Sequence, residues 1–192
     1  MRRILYLALK DFQLEFRQHT MLASLFFLGL VLLFISSYGG KVLGLPADRA
    51  TVFGLWGALI FTALLLITRT LSEESRTGCW DGLRLCPVPY WFLFFGKWLY
   101  GVSVLAVVEA FLFPAALFFG GLRLSSPLLF GAVILLSAAG MMAVGLLFAL
   151  AGLDTEGEGI SIPAVTLPFL LPLLMLTVEA LSALLDGQPV GL

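Results

Sequence analysis

One histidine, two cysteines and a charged fraction of only 12% leave this chain poor in the groups that do chemistry. Each shortage excludes something. His19 has no second histidine with which to share a metal or haem, and no C-x-x-C-H occurs for covalent haem attachment. Cys79 and Cys86 are seven apart on one loop with no further ligands, which reads as incidental. If that loop is cytoplasmic they are reduced thiols, and no disulfide framework is expected. No glycine-rich loop ends in Lys followed by Ser or Thr; Gly39-Gly40-Lys41 is followed by Val42, so a nucleotide's phosphates have no cradle. The few basic residues are spread by loop under a net charge of -1, which is no nucleic-acid patch. No serine, cysteine or aspartate within an apolar segment has a partner base. An intramembrane protease or transferase would need Glu109 to be catalytic.

What the chain does have is apolar surface. It is 60% hydrophobic, against about 45–50% in ordinary soluble domains. The apolar residues come in blocks of roughly 20, enough to cross about 30 Å of hydrocarbon. The fold class is all-α, a polytopic helical membrane protein in a single domain over residues 1–192.

Residues 1–20 are too charged for the bilayer core. Leu5, Leu9, Phe12 and Phe16 share one helical face, with Arg3, Lys10 and Arg17 on the opposite one, the pattern of an interfacial helix on the membrane surface. The apolar run after it is too long for a signal peptide, and no A-x-A site follows. Five spans are then expected, at about 21–38, 52–68, 98–119, 128–153 and 160–185. The fourth is rich in small residues (Ala138, Ala139, Gly140, Ala143, Gly145) that allow close helix approach. Pro163, Pro168 and Pro172 interrupt the fifth, which is expected to be kinked or split, and Pro114 lies within the third.

Orientation follows from Lys and Arg. The N-terminus carries Arg2, Arg3, Lys10 and Arg17, and the loop between the second and third spans carries Arg69, Arg76, Arg84 and Lys97. The opposite side has Lys41, Arg49 and Arg123. The N-terminus and the central loop are therefore expected in the cytoplasm. The connection between the fourth and fifth spans, on the same side, has Asp154, Glu156 and Glu158 and no basic residue.

That central loop, 71–97, is the densest polar stretch in the chain, LSEESRTGCWDGLRLCPVPYWFLFFGK. Glu73, Glu74, Arg76, Asp81, Arg84 and Lys97 alternate with Gly78, Gly82, Pro87 and Pro89, which would shape a short helix flanked by turns. Two readings are open: a docking element gripped by a soluble partner, or an ordinary solvated connector. The aromatic cluster Tyr90, Trp91, Phe92, Phe94, Phe95, Trp98 and Tyr100 reads as a membrane-interface belt anchoring the loop's end.

Two acids fall inside spans. Glu109 is near mid-bilayer and Glu179 is late in the fifth span. A charged side chain at the bilayer centre costs about 2.5–3.5 kcal/mol on insertion scales, so such groups face other helices or a wet cavity. For Glu109 a gating or substrate-pathway role and a plain interhelical hydrogen bond are both open. For Glu179 interfacial solvation favours the structural role.

At the loop the sequence E-S-R-T-G-C-W-D-G-L-R-L-C-P-V resembles the haem exporter protein B (CcmB) family, the membrane subunit of the cytochrome c maturation transporter. The matching residues are Glu74, Gly78, Gly82, Leu83, Pro87 and Val88, then Lys97. K-D-F-Q-L-E-F-R at 10–17, Trp56, Glu109 followed by Pro114, and L-P-F-L-L-P-L-L at 167–174 add to it. The family belongs to the six-span ABC-2-type permeases. The resemblance implies a permease-like helical bundle with a surface elbow helix first. Its partners would be a cytoplasmic ABC ATPase subunit, a CcmC-like haem-handling membrane subunit and a CcmE-like haem chaperone in the bacterial inner membrane.

By the same resemblance Glu74, Gly78, Asp81, Gly82, Leu83, Arg84 and Pro87 couple to the ATPase, whose ATP hydrolysis releases the haem-loaded periplasmic chaperone. Haem and ATP are then bound by partners, and this subunit is not an enzyme. Two departures stand out: LDTEGEGI where the family has basic residues, and no sixth span after Asp186. A missing helix would leave a bundle face to be filled by a partner. The other readings are an ABC-2-type permease for a drug, lipid or glycan, and a structural membrane scaffold.

Overall fold

The computed structural model describes residues 19–76, 90–121, 126–151 and 162–185. They form five helices: α1 (His19–Val42), α2 (Ala47–Arg76), α3 (Tyr90–Gly120), α4 (Pro127–Ala151) and α5 (Ile162–Leu185). Each contains a stretch long and apolar enough to cross a membrane: Leu22–Val42, Ala47–Arg69, Phe94–Gly120, Pro127–Leu150 and Thr166–Leu185. The protein is thus an all-helical, multi-pass membrane protein.

The connections explain the up-and-down course. α1 ends in a left-handed glycine, Gly44 at φ 71°. Gly44 N–H donates to Lys41 O at 3.2 Å and Leu45 N–H to Gly40 O at 2.9 Å, the paired bonds that close a Schellman cap. Pro46 follows, and α2 starts at once. α3 also ends at a left-handed glycine, Gly121 (φ 59°), whose N–H makes the single bond of an αL cap to Leu117 O. α4 opens with Pro127, where a missing N–H costs nothing, and Phe130 N–H donates to Ser126 O.

α2 is the axis of the bundle. It packs against all four other helices, and 78% of its apolar stretch is buried, against 22–44% in the others. Leu55, Leu59, Ala63, Leu66 and Ile67 form its share of the core. Small residues set the close approaches. A Cβ on Gly54 would sit 2.7 Å from Ser36 Cβ, and one on Gly29 would sit 2.6 Å from Leu112 Cδ1. The glycine-rich α4 behaves as its composition predicts: Gly145 meets Ile67, and Gly140 faces Leu173. The outward faces of α1 and α5 carry Phe27, Phe34, Ile35, Leu171 and Met175, apolar side chains that suit hydrocarbon as solvent.

The fifth segment, expected to be kinked or split, is one helix with Pro168 and Pro172 inside it. The second and third helices overrun their expected ends, α2 through Arg76 and α3 from Tyr90, which shortens the connection between them to residues 77–89. The interfacial helix expected at 1–20 lies outside the described residues except for His19 and Thr20, which begin α1.

Candidate functional site

The expected docking element is framed by these two overrunning helices. From Thr70 to Arg76, α2 continues seven residues beyond its apolar stretch, about 10 Å at about 1.5 Å per residue. Glu and Arg are good helix formers, and no glycine or proline occurs there, so the backbone has no reason to stop earlier. Glu74 belongs to this helical extension. Gly78, Asp81, Gly82, Leu83, Arg84 and Pro87, with Cys79 and Cys86, lie outside the described residues.

On the α3 side, the aromatic cluster is divided between two environments. Trp91 and Phe95 are exposed, as an interfacial belt requires. Tyr100 is buried, and Trp98 Nε1 donates to the carbonyl oxygen of Ala139 on α4 at 2.9 Å. The belt expectation is therefore corrected for Trp98 and Tyr100, which belong to the bundle. Lys97, expected at the edge of the polar loop, is only 2% exposed. Its neighbours in sequence, FLFFGKWLYG, are almost all apolar, and that was the available signal.

The α2–α3 register places Lys97 relative to the extension. Gly120 on α3 packs against Thr51 on α2 with no room for a Cβ. Counting back from Gly120 to Lys97 covers as many residues as counting forward from Thr51 to Glu74, so these two backbone positions are near one level. The same count sets Glu109 level with Thr62.

Glu109 is 4% exposed, and among the described residues neither of its carboxyl oxygens makes a hydrogen bond. Thr62 does not supply one. Its hydroxyl donates to Ala58 O at 2.7 Å, with Leu59 O at 3.1 Å. The indole N–H of Trp56 is likewise buried with no acceptor among the described residues. Glu179, in contrast, is exposed on α5 near its C-terminal end. Pro114, Pro168 and Pro172 are all exposed on the outer faces of α3 and α5.

Polar clasps between helices were not visible in the sequence. At the end of the bundle away from residues 77–89, Ser37 Oγ donates to Phe119 O at 3.2 Å and lies 3.3 Å from Thr51 Oγ1, joining α1, α2 and α3. Ser137 Oγ and Thr177 Oγ1 are 2.9 Å apart between α4 and α5. Among the described residues no group of three or more His, Cys, Asp or Glu could hold a metal ion. Among the described residues the arrangement is a helical bundle with one buried acid in its interior, and a polar stretch of sequence links its central helix to α3.

No curated protein and no solved structure matches the chain. The model of the family described as CcmB protein matches residues 2–191, nearly end to end. The chain belongs to the CcmB family, and so is a membrane component of the haem export and cytochrome c maturation system.

Proposed function

We propose that this chain is the permease-type subunit of an ABC complex for cytochrome c maturation. A separate ATPase subunit hydrolyses ATP, and this subunit passes the resulting movement across the membrane to release a haem-loaded chaperone on the far side. The observation that carries the reading is the family match over residues 2–191. The architecture supports it in physical terms. α2 touches every other helix and runs about 10 Å past its apolar stretch into the polar connection. A push on residues 71–89 would therefore be delivered to the helix around which the bundle is packed.

In this reading Glu74, Gly78, Asp81, Gly82, Leu83, Arg84 and Pro87 meet the ATPase. The subunit is non-catalytic, haem is cargo of a CcmC-like membrane subunit and a CcmE-like chaperone, and ATP stays with the ATPase. The chain sits in a bacterial inner membrane with its N-terminus and the α2–α3 connection cytoplasmic, as the Lys and Arg distribution favours.

The test is affinity purification of the full chain in mild detergent, with mass spectrometry of what accompanies it. An ATPase subunit together with a haem-handling membrane protein is the expected result. An ATPase without any haem protein would leave a permease and move the function to another substrate. Neither partner would remove the coupling role.

A further inference from the structure

α5 turns one face to the bundle and another away from it. Leu170, Thr177, Leu181 and Leu184 are buried on the inner face. On the outer face Pro168, Pro172, Met175, Leu176 and Glu179 follow one another at steps of three and four residues, and all are exposed. Glu179 is thus an acid on an otherwise apolar face, within the apolar stretch Thr166–Leu185. Ser182 Oγ donates to its backbone carbonyl at 2.9 Å, but its carboxyl has no hydrogen bond or ion pair among the described residues.

Interfacial solvation, expected for Glu179 from the sequence, is opposed by the geometry. Glu179 lies six residues before the end of the apolar stretch, about 9 Å inward at about 1.5 Å per residue. Arg49, Val52 and Phe53 line one recess with Val178, Ser182 and Leu185, so the last two turns of α5 run beside the first two turns of α2. The acid is therefore deeper than Arg49, the third residue of α2. Its direction adds to its depth. Cα–Cβ bonds tilt towards a helix N-terminus, and α5 has its C-terminus at this end, so the short Glu179 side chain leans towards the bilayer centre. Nearer the other end, Pro172 has no N–H for the carbonyl of Pro168 four residues back, which leaves a second acceptor on this side of the helix. Acceptors facing hydrocarbon without a donor are costly.

We infer that the outer face of α5 docks a transmembrane helix of another polypeptide, one that carries a Lys or Arg side chain level with Glu179. Charge complementarity selects this occupant. The rest of the face is apolar and suits a neighbouring helix, while the carboxylate requires a cation at its own depth, which lipid tails do not supply. A second copy of this chain fits poorly. A twofold contact through this face would set Glu179 beside Glu179. The exposed cations at this end, Lys41 and Arg49, stand at the ends of α1 and α2, nearer the surface, and Lys97 within its span is buried. The inference is independent of the coupling role proposed above, which concerns the opposite end of the bundle.

The experiment places the photo-crosslinking residue p-benzoylphenylalanine at Leu176 of the full chain in its native membrane, with mass spectrometry of the captured peptide. The expected capture is a transmembrane peptide of another protein with a Lys or Arg in its apolar segment. Glu179→Lys should lower the captured yield about tenfold, and replacing the partner's basic residue by Glu should restore it. Capture of a peptide with no basic residue in its apolar segment would overturn the inference. So would capture of this chain's own peptides from a second copy, adducts with lipid alone, or an undiminished yield in Glu179→Lys. If Glu179→Lys does not insert, Glu179→Leu takes its place, since it removes the charge from an exposed position and leaves the face apolar. Undiminished capture by that variant would overturn the inference equally.

Discussion

Trp98 on α3 is fastened to Ala139 on α4 by an indole N–H donating to a backbone carbonyl at 2.9 Å. The bond joins the helix that leaves the polar connection to a helix that has no part in it. Trp98→Phe keeps most of the ring and loses only the donor. It should cost about 0.6–1.7 kcal/mol, the range seen for polar contacts between membrane helices. Trp98→Ala removes the packing as well and should cost about 3–5 kcal/mol. Thermal denaturation of the purified protein in one detergent ranks the two. Equal losses would show that the ring, and not the bond, holds the helices.

This contact also shows where the sequence could be read and where it could not. The five spans were legible because apolar blocks of bilayer length leave little choice, and every one is present. Helix ends near the polar stretch were not, since charge marks the end of an apolar run but not the end of a helix. Ser72, Glu73, Glu74, Ser75 and Arg76 are polar but compatible with helix, and α2 simply continues through them. At Tyr90 the signal existed: Pro87 and Pro89 disfavour helix just before it, and no breaker follows until Gly96. The burial of Lys97 depends on which face of α3 meets the bundle, and a helix apolar on every side does not declare that face. The clasps of Ser37 to Phe119 and Ser137 to Thr177 join residues 82 and 40 apart, beyond any local pattern.

Gly101 on α3 packs against Met142 on α4, where an added Cβ would meet Met142 Cε. The obstacle is the far end of a flexible side chain, so Gly101→Ala should be tolerated at about 1–3 kcal/mol, the usual cost of overpacking. Met142→Ala opens space at the same spot. The double variant should be more stable than the sum of the two single losses implies, by about 0.5–3 kcal/mol of coupling. Strict additivity in a denaturation series would place the two residues out of contact.

Ser137 and Thr177 each lie 2.7 Å from the carbonyl four residues back, Val133 O and Leu173 O, and 2.9 Å from each other. Two hydroxyl hydrogens cannot fill three such contacts at once. One hydroxyl must donate across the interface while the other stays on its own helix. Replacing either by Ala leaves the remaining hydroxyl satisfied on its helix, so the α4–α5 clasp should be modest. A double-mutant cycle should give a coupling of about 0.6 kcal/mol and not above about 1.7 kcal/mol.

The proposed coupling role concerns the α2 extension and the connection that follows. Glu74→Lys reverses a charge on a helical segment beyond the apolar stretch, and Gly82→Pro restricts the backbone of the connection. Both should leave the yield and thermal stability of the membrane bundle within about 0.5 kcal/mol of wild type, because neither position lies in an apolar span. ATP hydrolysis by the assembled complex should continue while cytochrome c assembly falls. Full assembly in both variants would remove this segment from the coupling path.

Glu109 sets stability against function at a single position. It is buried in the interior with neither oxygen hydrogen-bonded among the described residues, so burial offers it no compensation. A group present only to hold helices together should lose stability when replaced. Here the expectation is the opposite: Glu109→Leu removes an uncompensated polar group and should be neutral or stabilising, by up to about 3 kcal/mol. Glu109→Gln keeps the shape and the polarity without the acid. If the carboxyl acts in the movement of the bundle, both variants should fold and join the complex yet lose cytochrome c assembly. Destabilisation by Glu109→Leu with assembly activity intact in Glu109→Gln would make the residue a structural one, and would leave the permease reading to rest on the α2–α3 connection alone.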